Sequence, residues 1–341
     1  MSTRHVVVAM SGGVDSSVAA ALLKAQGYDV RGITFLISPE QTDAASYAQK
    51  AANFLGIPHE VLDLSDVCAR DVITPFCHAY HAGYTPNPCI ACNHYVKFGA
   101  LLDYVRAHGA SHLATGHYAR IESASYHKLL RARDITKDQS YFLYTLTQPQ
   151  LEMALFPLGD MLKAEVKQMA ARFGLADIIR QGESQDICFI PDGDYASFVT
   201  KYQKSVPGDI VGADGQVLGQ HRGLVYHTIG QRKGLDIASP VPLYVIKLDA
   251  PLNQVVVGPR EMLYRDRLTA KEPTWIAGHP PCDPSGITAC VRFKAAGVGA
   301  NVVTASDILH ITLRTPQCGI APGQSIVFYR EKEVLGGGII E

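Results

Sequence analysis

Three groups of residues in this 341-residue chain have types and spacings that suit chemistry. The first is Ser11-Gly12-Gly13-Val14-Asp15-Ser16-Ser17, set between an apolar run and a helical stretch. Glycines let backbone N–H groups turn toward an anion, hydroxyls add donors, and a helix N-terminus adds a favourable dipole. Neither the Walker ending Gly-Lys-Ser/Thr nor the pattern Gly-x-Gly-x-x-Gly is present. Asp15 is out of place for plain anion binding unless Mg²⁺ intervenes or it caps the helix. The second group is Cys89 and Cys92 within Thr85-Pro86-Asn87-Pro88-Cys89-Ile90-Ala91-Cys92-Asn93. CxxC is a redox or metal pattern, and it lacks here the second pair that a closed zinc site wants. Cys92 falls just before a predicted helix, whose dipole would lower its pKa. The third is Cys188 in Gly182-Glu183-Ser184-Gln185-Asp186-Ile187-Cys188-Phe189-Ile190-Pro191, where turn-formers and apolar residues suit a thiol on a mobile loop.

The other five cysteines, Cys68, Cys77, Cys282, Cys290 and Cys318, read as small buried hydrophobes. Eight cysteines in this length are too few for a disulfide scaffold. Lys and Arg number 31 against 32 Asp and Glu, which excludes a uniformly basic protein and leaves room for local basic strips. A hydrophobic share of 47% with 18% charge excludes disorder. The longest apolar runs, such as His5–Met10, fall far short of the roughly 20 residues a membrane span needs. With no leader-like segment before that run, the expectation is a cytoplasmic protein with no membrane partner.

Positioning these groups requires a scaffold. His5–Met10, Val30–Phe35, His59–Leu64 and Ser111–Thr115 read as strands. Helical patterns run to Ala25 and over Ala44–Leu55, Tyr95–His108, Ala164–Phe173 and Tyr195–Tyr202. Alternation of this kind predicts an α/β fold with a doubly wound parallel sheet. Beyond Ser205-Val206-Pro207-Gly208, β-branched residues, Gly and Pro dominate. Ile210–Val217, Tyr244–Leu248, Gln254–Val257, Ala289–Lys294, Ile311–Leu313, Ser325–Tyr329 and Gly336–Ile340 read as short strands. Two small β domains follow, the last barrel-like, giving expected domains at 1–203, 204–264 and 265–341.

The glycine loop resembles that of the PP-loop ATP pyrophosphatases, with their signature SGGxDS. That resemblance implies ATP, with Mg²⁺, cleaved between its α and β phosphates to adenylate a carbonyl oxygen. Thr85–Asn93 with Lys97-Phe98-Gly99, Ala114–Arg120, Lys137–Leu146 and Ser184–Tyr195 carry it further, as do Tyr226–Leu235 and Leu335–Ile340. Together they resemble the bacterial tRNA-specific 2-thiouridylases over essentially the whole chain. The implied activity is 2-thiolation of the wobble uridine in tRNAs of Lys, Glu and Gln type, supplied by a cysteine desulfurase or sulfur relay.

Carried over by position, the resemblance implies that Ala9, Met10, Ser11, Gly12, Gly13, Val14, Asp15, Ser16, Phe35 and Gly116 hold ATP. It makes Cys188 the persulfide carrier and Cys92 its partner thiol, with Asp15 also in the catalytic set. Asn87, Pro88, Cys89, Lys137, Asp138, Gln139, Arg292 and Phe293 would meet tRNA. An alternative makes Cys89, Cys92 and Cys188 three ligands of an iron–sulfur cluster. His117 reads equally as a base or as a packed histidine. Arg120, Lys128, Arg131, Arg133 and Lys137, against Glu122 and Asp134, form a candidate phosphate-binding strip. His221-Arg222 and Arg232-Lys233 form a second. Competing readings are a PP-loop ligase or amidotransferase acting on a small molecule, and a non-catalytic ATP-gated tRNA-binding protein.

Overall fold

The computed structural model describes residues 5–38, 43–175, 187–190 and 192–341. Strands β1 (His5–Ala9), β2 (Asp29–Leu36), β3 (His59–Asp63) and β4 (His112–Ala114) belong to one sheet. A hairpin follows, β5 (Ala119–Ser123) and β6 (His127–Arg131), and then β7 (Ala154–Leu155). The first sheet runs β3-β2-β1-β4-β7, all parallel. Its strand order reverses at the β1/β4 boundary, where ligands bind in open parallel sheets. Val6, Val8 and Met10 pack into one core layer and Val7 into the opposite one, so β1 is buried on both faces.

The middle unit carries β8 (Gly208–Gly212), β9 (Val217–His221), β10 (Tyr244–Asp249) and β11 (Gln254–Gly258). Its sheet order is β10-β11-β8-β9. The single strand expected over Ile210–Val217 is instead two, because Gly215 (φ +86°) turns the chain and Asp214 Oδ1 caps Gln216 N.

The last unit has β12 (Tyr264–Trp275), β13 (Ile287–Cys290), β14 (Val298–Ala305), β15 (Ile308–Cys318), β16 (Ser325–Arg330) and β17 (Glu333–Ile340). Pairing of β12 with β17 closes these six strands into a barrel. The fold class is therefore the expected one, a parallel α/β sheet followed by two β units with the last a barrel. The strand expected to reach Lys294 stops at Cys290, and Lys294 takes a left-handed φ of +62°.

One connection went unread in the sequence. The hairpin β5–β6 lies between strands of the first sheet but pairs with β17, through Leu130↔Glu333 and Leu129↔Val334. The barrel sheet thus extends into the N-terminal half.

Candidate active site

The loop after β1 leaves the sheet at the strand-order reversal. Met10 N donates to Ile33 O at 2.7 Å, and the Met10 carbonyl accepts from Thr34 Oγ1 at 2.8 Å. Met10 is therefore core, and its backbone fixes the exit direction for half-buried Ala9. Ser11 N donates to Ser16 Oγ at 3.1 Å, and Ser17 Oγ donates to Gly13 O at 2.9 Å. Gly12 has φ +73°, and a Cβ there would lie 2.6 Å from Tyr47 Cβ. Across the reversal, a Cβ on Gly116 would lie 2.9 Å from Ser16 N. The two strand ends thus close on the loop with no room for side chains. Val14 opens the helix Val14–Ala25, whose N-cap Gly13 provides no side-chain cap. Its first N–H groups are the natural anion ligands. Phe35, half-buried, is the penultimate residue of β2, next to the Thr34 that holds the Met10 carbonyl.

Asp15 does not cap the helix, which corrects one expectation. Its two carboxylate oxygens accept from Lys163 Nζ at 2.7 and 2.8 Å, and one accepts from Tyr118 Oη at 2.8 Å. Lys163 is buried and opens the helix Lys163–Arg172. Neither partner was anticipated. A lysine in the first turn of a helix runs against the dipole, and that was the available signal.

The thiols occupy a second cluster. Asn87 Oδ1 accepts from Cys89 N at 3.1 Å and so caps the turn Pro88–Ala91. The helix continues as wide turns over Cys92–Leu101, with Gly99 kinked out of helical geometry (φ −99°, ψ −105°), so the helix expected at Tyr95 starts seven residues earlier. Cys92 therefore sits one turn inside the helix. Burial pushes its thiol up, against the expected lowering, and the nearby Lys97 charge opposes that only in part. Cys89 and Cys188 are exposed at the residue level. Although both reach the surface, desolvation by the protein packed around them raises Cys89, and it raises Cys188 to about 12, with further repulsion from Cys92 and Cys89. Cys188 thus lies within electrostatic reach of both Cys92 and Cys89. Residues 182–186 and Pro191 of the Cys188 segment lie outside the described residues. Lys97 lowers all three thiols and is the cation that sequence reading passed over.

Ala9, Phe35, Cys92 and Phe189 all pack against one continuous core, which runs from Val7 of β1 to Val327 and Val334 of the barrel. Buried Cys68 belongs to that core, its thiol pushed up to about 12 by burial and by Cys92 and Cys188. His117 is buried among Phe98 and Phe156, with Nδ1 2.7 Å from Thr115 Oγ1. Burial holds it well below its ordinary pKa, a packed neutral imidazole. Among the described residues no three His, Cys, Asp or Glu side chains gather as a metal-holding set.

Comparison with known proteins decides the family. A model described as the tRNA methyl transferase HUP domain matches residues 4–192. The tRNA methyl transferase PRC-barrel domain and the aminomethyltransferase beta-barrel domain match 196–259 and 265–340. The chain is 46% identical to the tRNA-specific 2-thiouridylase of Syntrophotalea carbinolica, across 99% of this chain and 98% of that one. It is also 46% identical to the corresponding protein of Magnetococcus marinus, across 99% of both. A third relative of that name, from Moorella thermoacetica, is 45% identical over 98% of this chain and 99% of its own. The chain belongs to the tRNA-specific 2-thiouridylase family.

The residues that resemblance to the 2-thiouridylases assigns to RNA are placed unequally. Asn87, Pro88 and Cys89 form the turn beside the thiols. Lys137 is half-buried, but Asp138 is buried and its carboxylate accepts from Ala132 N, Ser140 N, Ser140 Oγ and Arg131 Nη1. Its side chain is internal structure and not a surface contact. Gln139 Oε1 accepts from Tyr118 N at 3.0 Å, tying its loop to the residue that touches Asp15. Arg292 is exposed, with Nη1 3.3 Å from Cys318 O. Phe293 packs on Phe142 with ring centroids 4.3 Å apart. The basic strip is largely spent within the protein: Arg131 on Asp138 and the Tyr329 ring, Arg133 on Glu165, Lys128 on Glu333. No helix among the described residues is long and apolar enough to cross a membrane.

Proposed function

We propose that this chain is an ATP-dependent tRNA-uridine 2-sulfurtransferase. The observation that carries the reading is the pairing, around one continuous core, of a glycine anion loop at the strand-order reversal with the mutually influencing thiols Cys89, Cys92 and Cys188. The loop N–H groups and Gly116 would hold the ATP phosphates, with Phe35 against the adenine. Mg²⁺ would accompany those phosphates and offset their charge, and Asp15 would hold it only by exchanging the Lys163 ammonium that now occupies both its oxygens. The loop orients the α-phosphorus, so the C2 oxygen of the target uridine attacks it and pyrophosphate leaves. AMP is then a good leaving group on C2.

The sulfur steps follow from the thiols. A sulfane sulfur placed on Cys188 by a donor protein attacks C2, and the C2–O bond breaks as AMP departs. The Cys92 thiolate then attacks the Cys188 sulfur. The S–S bond to the uridine breaks, its electron pair stays on the new 2-thio group, and a Cys92–Cys188 disulfide remains. A thiol reductant resets the pair. Asn87 and Pro88 line the entry for a uridine turned out of its stack, since C2 is otherwise inaccessible. The partners are tRNAs of Lys, Glu and Gln type and a cysteine desulfurase or sulfur-relay protein.

The test incubates protein, ATP, Mg²⁺ and tRNA with either sulfide or a persulfide-loaded donor, then digests the RNA and assays 2-thiouridine. Cys188→Ser should keep activity with sulfide and lose it with the protein donor. Absence of 2-thiouridine under both donors with the wild-type chain refutes the proposal.

A further inference from the structure

The sulfur-transfer steps use Cys188 and Cys92 and leave the third thiol, Cys89, without a part. Cys89 stands three residues before Cys92 on helical backbone, with Cys92 N donating to Cys89 O. Ideal helix geometry puts the two Cα atoms about 5 Å apart on one face. That falls inside the roughly 4.4–6.8 Å that a disulfide spans. Asn87 Oδ1 accepts from Cys89 N at 3.1 Å and holds this turn at its outer end. Cys188 lies within electrostatic reach of both thiols. Cys92 therefore has two thiol neighbours, Cys188 from a distant segment and Cys89 from its own turn.

The three sulfurs differ in what can approach them. Cys92 packs against the core that holds Ile90, Val96 and Phe98, whereas Cys89 is exposed. A Cys92–Cys188 disulfide would keep one sulfur seated on that core, and thiol–disulfide exchange slows where access is poor. A thiol tied to the same helical turn attacks at an effective concentration of roughly millimolar or above. Cys68 also lies within electrostatic reach of Cys92 and Cys188, but at 2% exposure no external reductant can meet it. Cys89 alone among these neighbours joins contact with Cys92 to an opening on solvent. The Lys97 charge favours its thiolate, the form that attacks.

We propose that Cys89 is a resolving thiol, which takes Cys92 over from the Cys92–Cys188 disulfide and presents the new Cys89–Cys92 disulfide to an external dithiol. The proposal rests on the sulfurtransferase reading and adds to it the route by which the enzyme is reset. The Cys89 thiolate attacks the Cys92 sulfur and a Cys89–Cys92 bond forms. The Cys92–Cys188 bond breaks with its electron pair on Cys188, which takes up the proton that Cys89 gave away. One disulfide replaces another, so this step needs no oxidant or reductant. The external dithiol then gives two electrons and two protons to Cys89 and Cys92 and leaves as its own disulfide. Sulfur loading and reduction thus fall on different cysteines, and donor and reductant do not compete for one sulfur.

The experiment maps disulfides in the full chain by acid quench, alkylation and peptide mass spectrometry. In one arm, persulfide-loaded protein turns over once with tRNA, ATP and Mg²⁺ in the absence of reductant. The wild type should pass from Cys92–Cys188 to Cys89–Cys92 with Cys188 open to alkylation, whereas Cys89→Ser should stop at Cys92–Cys188. In the other arm, without tRNA, one equivalent of diamide oxidises the resting protein and dithiothreitol reduces it again. Cys89→Ser should regain its thiols about tenfold more slowly than the wild type, because the dithiol must then reach the core-seated pair directly. A merely structural Cys89 would move neither the position of the disulfide nor this rate. Persistence of Cys92–Cys188 in the wild type overturns the proposal, as do equal reduction rates or a Cys68–Cys92 bond. Stoichiometric iron and sulfide held by the three thiols in anaerobically purified protein would overturn it too. The arm without tRNA needs no thiolation, so its failure is distinguishable from failure of the 2-thiouridine assay.

Discussion

The ammonium of Lys163 grips both carboxylate oxygens of Asp15, at 2.7 and 2.8 Å, across 148 residues of chain. The pair ties the helix Lys163–Arg172 to the loop at the end of β1. Lys163→Met would leave a carboxylate without its cation. The cost should be about 2 kcal/mol, below the figure for a fully buried pair because the Asp15 side chain is 33% exposed. Adding Asp15→Asn should recover most of it. Urea midpoints of the single and double variants measure this, and equal midpoints for wild type and Lys163→Met would refute it.

Thiol reactivity should climb steeply with pH. Cys188 is pushed up to about 12 and Cys92 is also raised, so both are protonated at neutrality. Only the thiolate reacts, so alkylation by iodoacetamide should rise about tenfold per pH unit from 7 to 9.5 without a plateau. Lys97→Gln removes the cation that lowers both groups and should slow alkylation at each pH. Peptide mapping by mass spectrometry separates Cys92 from Cys188. A plateau below pH 9 would contradict the burial argument.

The middle unit should weaken in acid. His227 and His221 are buried with ring centroids 5.6 Å apart, and burial lowers His227 from 6.5 to about 4. A base lowered on folding binds fewer protons in the folded chain. Its contribution is therefore full above 6.5 and lost as pH falls from 6.5 toward 4, by roughly 3 kcal/mol in all. His227→Phe should flatten that slope between pH 7 and 5. Thermal midpoints across the range provide the check.

Asp138 should prove a folding residue. Its carboxylate accepts four hydrogen bonds and is buried. Asp138→Ala should cost about 3 kcal/mol by orphaning those donors. RNA affinity, measured where the variant is still folded, should change less than twofold. A large affinity loss without a change in urea midpoint would restore the surface-contact role.

Much of the scaffold was legible because burial on both faces leaves an unbroken apolar run, as in Val6–Val8. The glycine loop was legible because only glycine fits at Gly12 and Gly116. The hairpin β5–β6 was not, because Arg120, Lys128 and Arg131 look like a solvated strip. In the fold Arg131 lies 3.6 Å from the Tyr329 ring centroid, its charge met by Asp138. The Cys92 environment was misread for a local reason: the helix begins at Pro88, and desolvation outweighs a dipole that fades within a turn. Lys163 was passed over because its partner lies 148 residues away, leaving only its unfavourable place in a first helical turn as a signal.

The pairing of β6 with β17 has a consequence for how such a chain can be cut and recombined. Arg131 N donates to Lys332 O at 2.8 Å, so main-chain bonds clamp the barrel to a hairpin supplied by the N-terminal half. The barrel is thus no detachable cassette. A chain shortened before β12 would keep β6 with a bare row of donors and acceptors, an invitation to strand-to-strand self-association. Chimeras between relatives should therefore exchange residues 119–131 together with the barrel, since the two were built to one register.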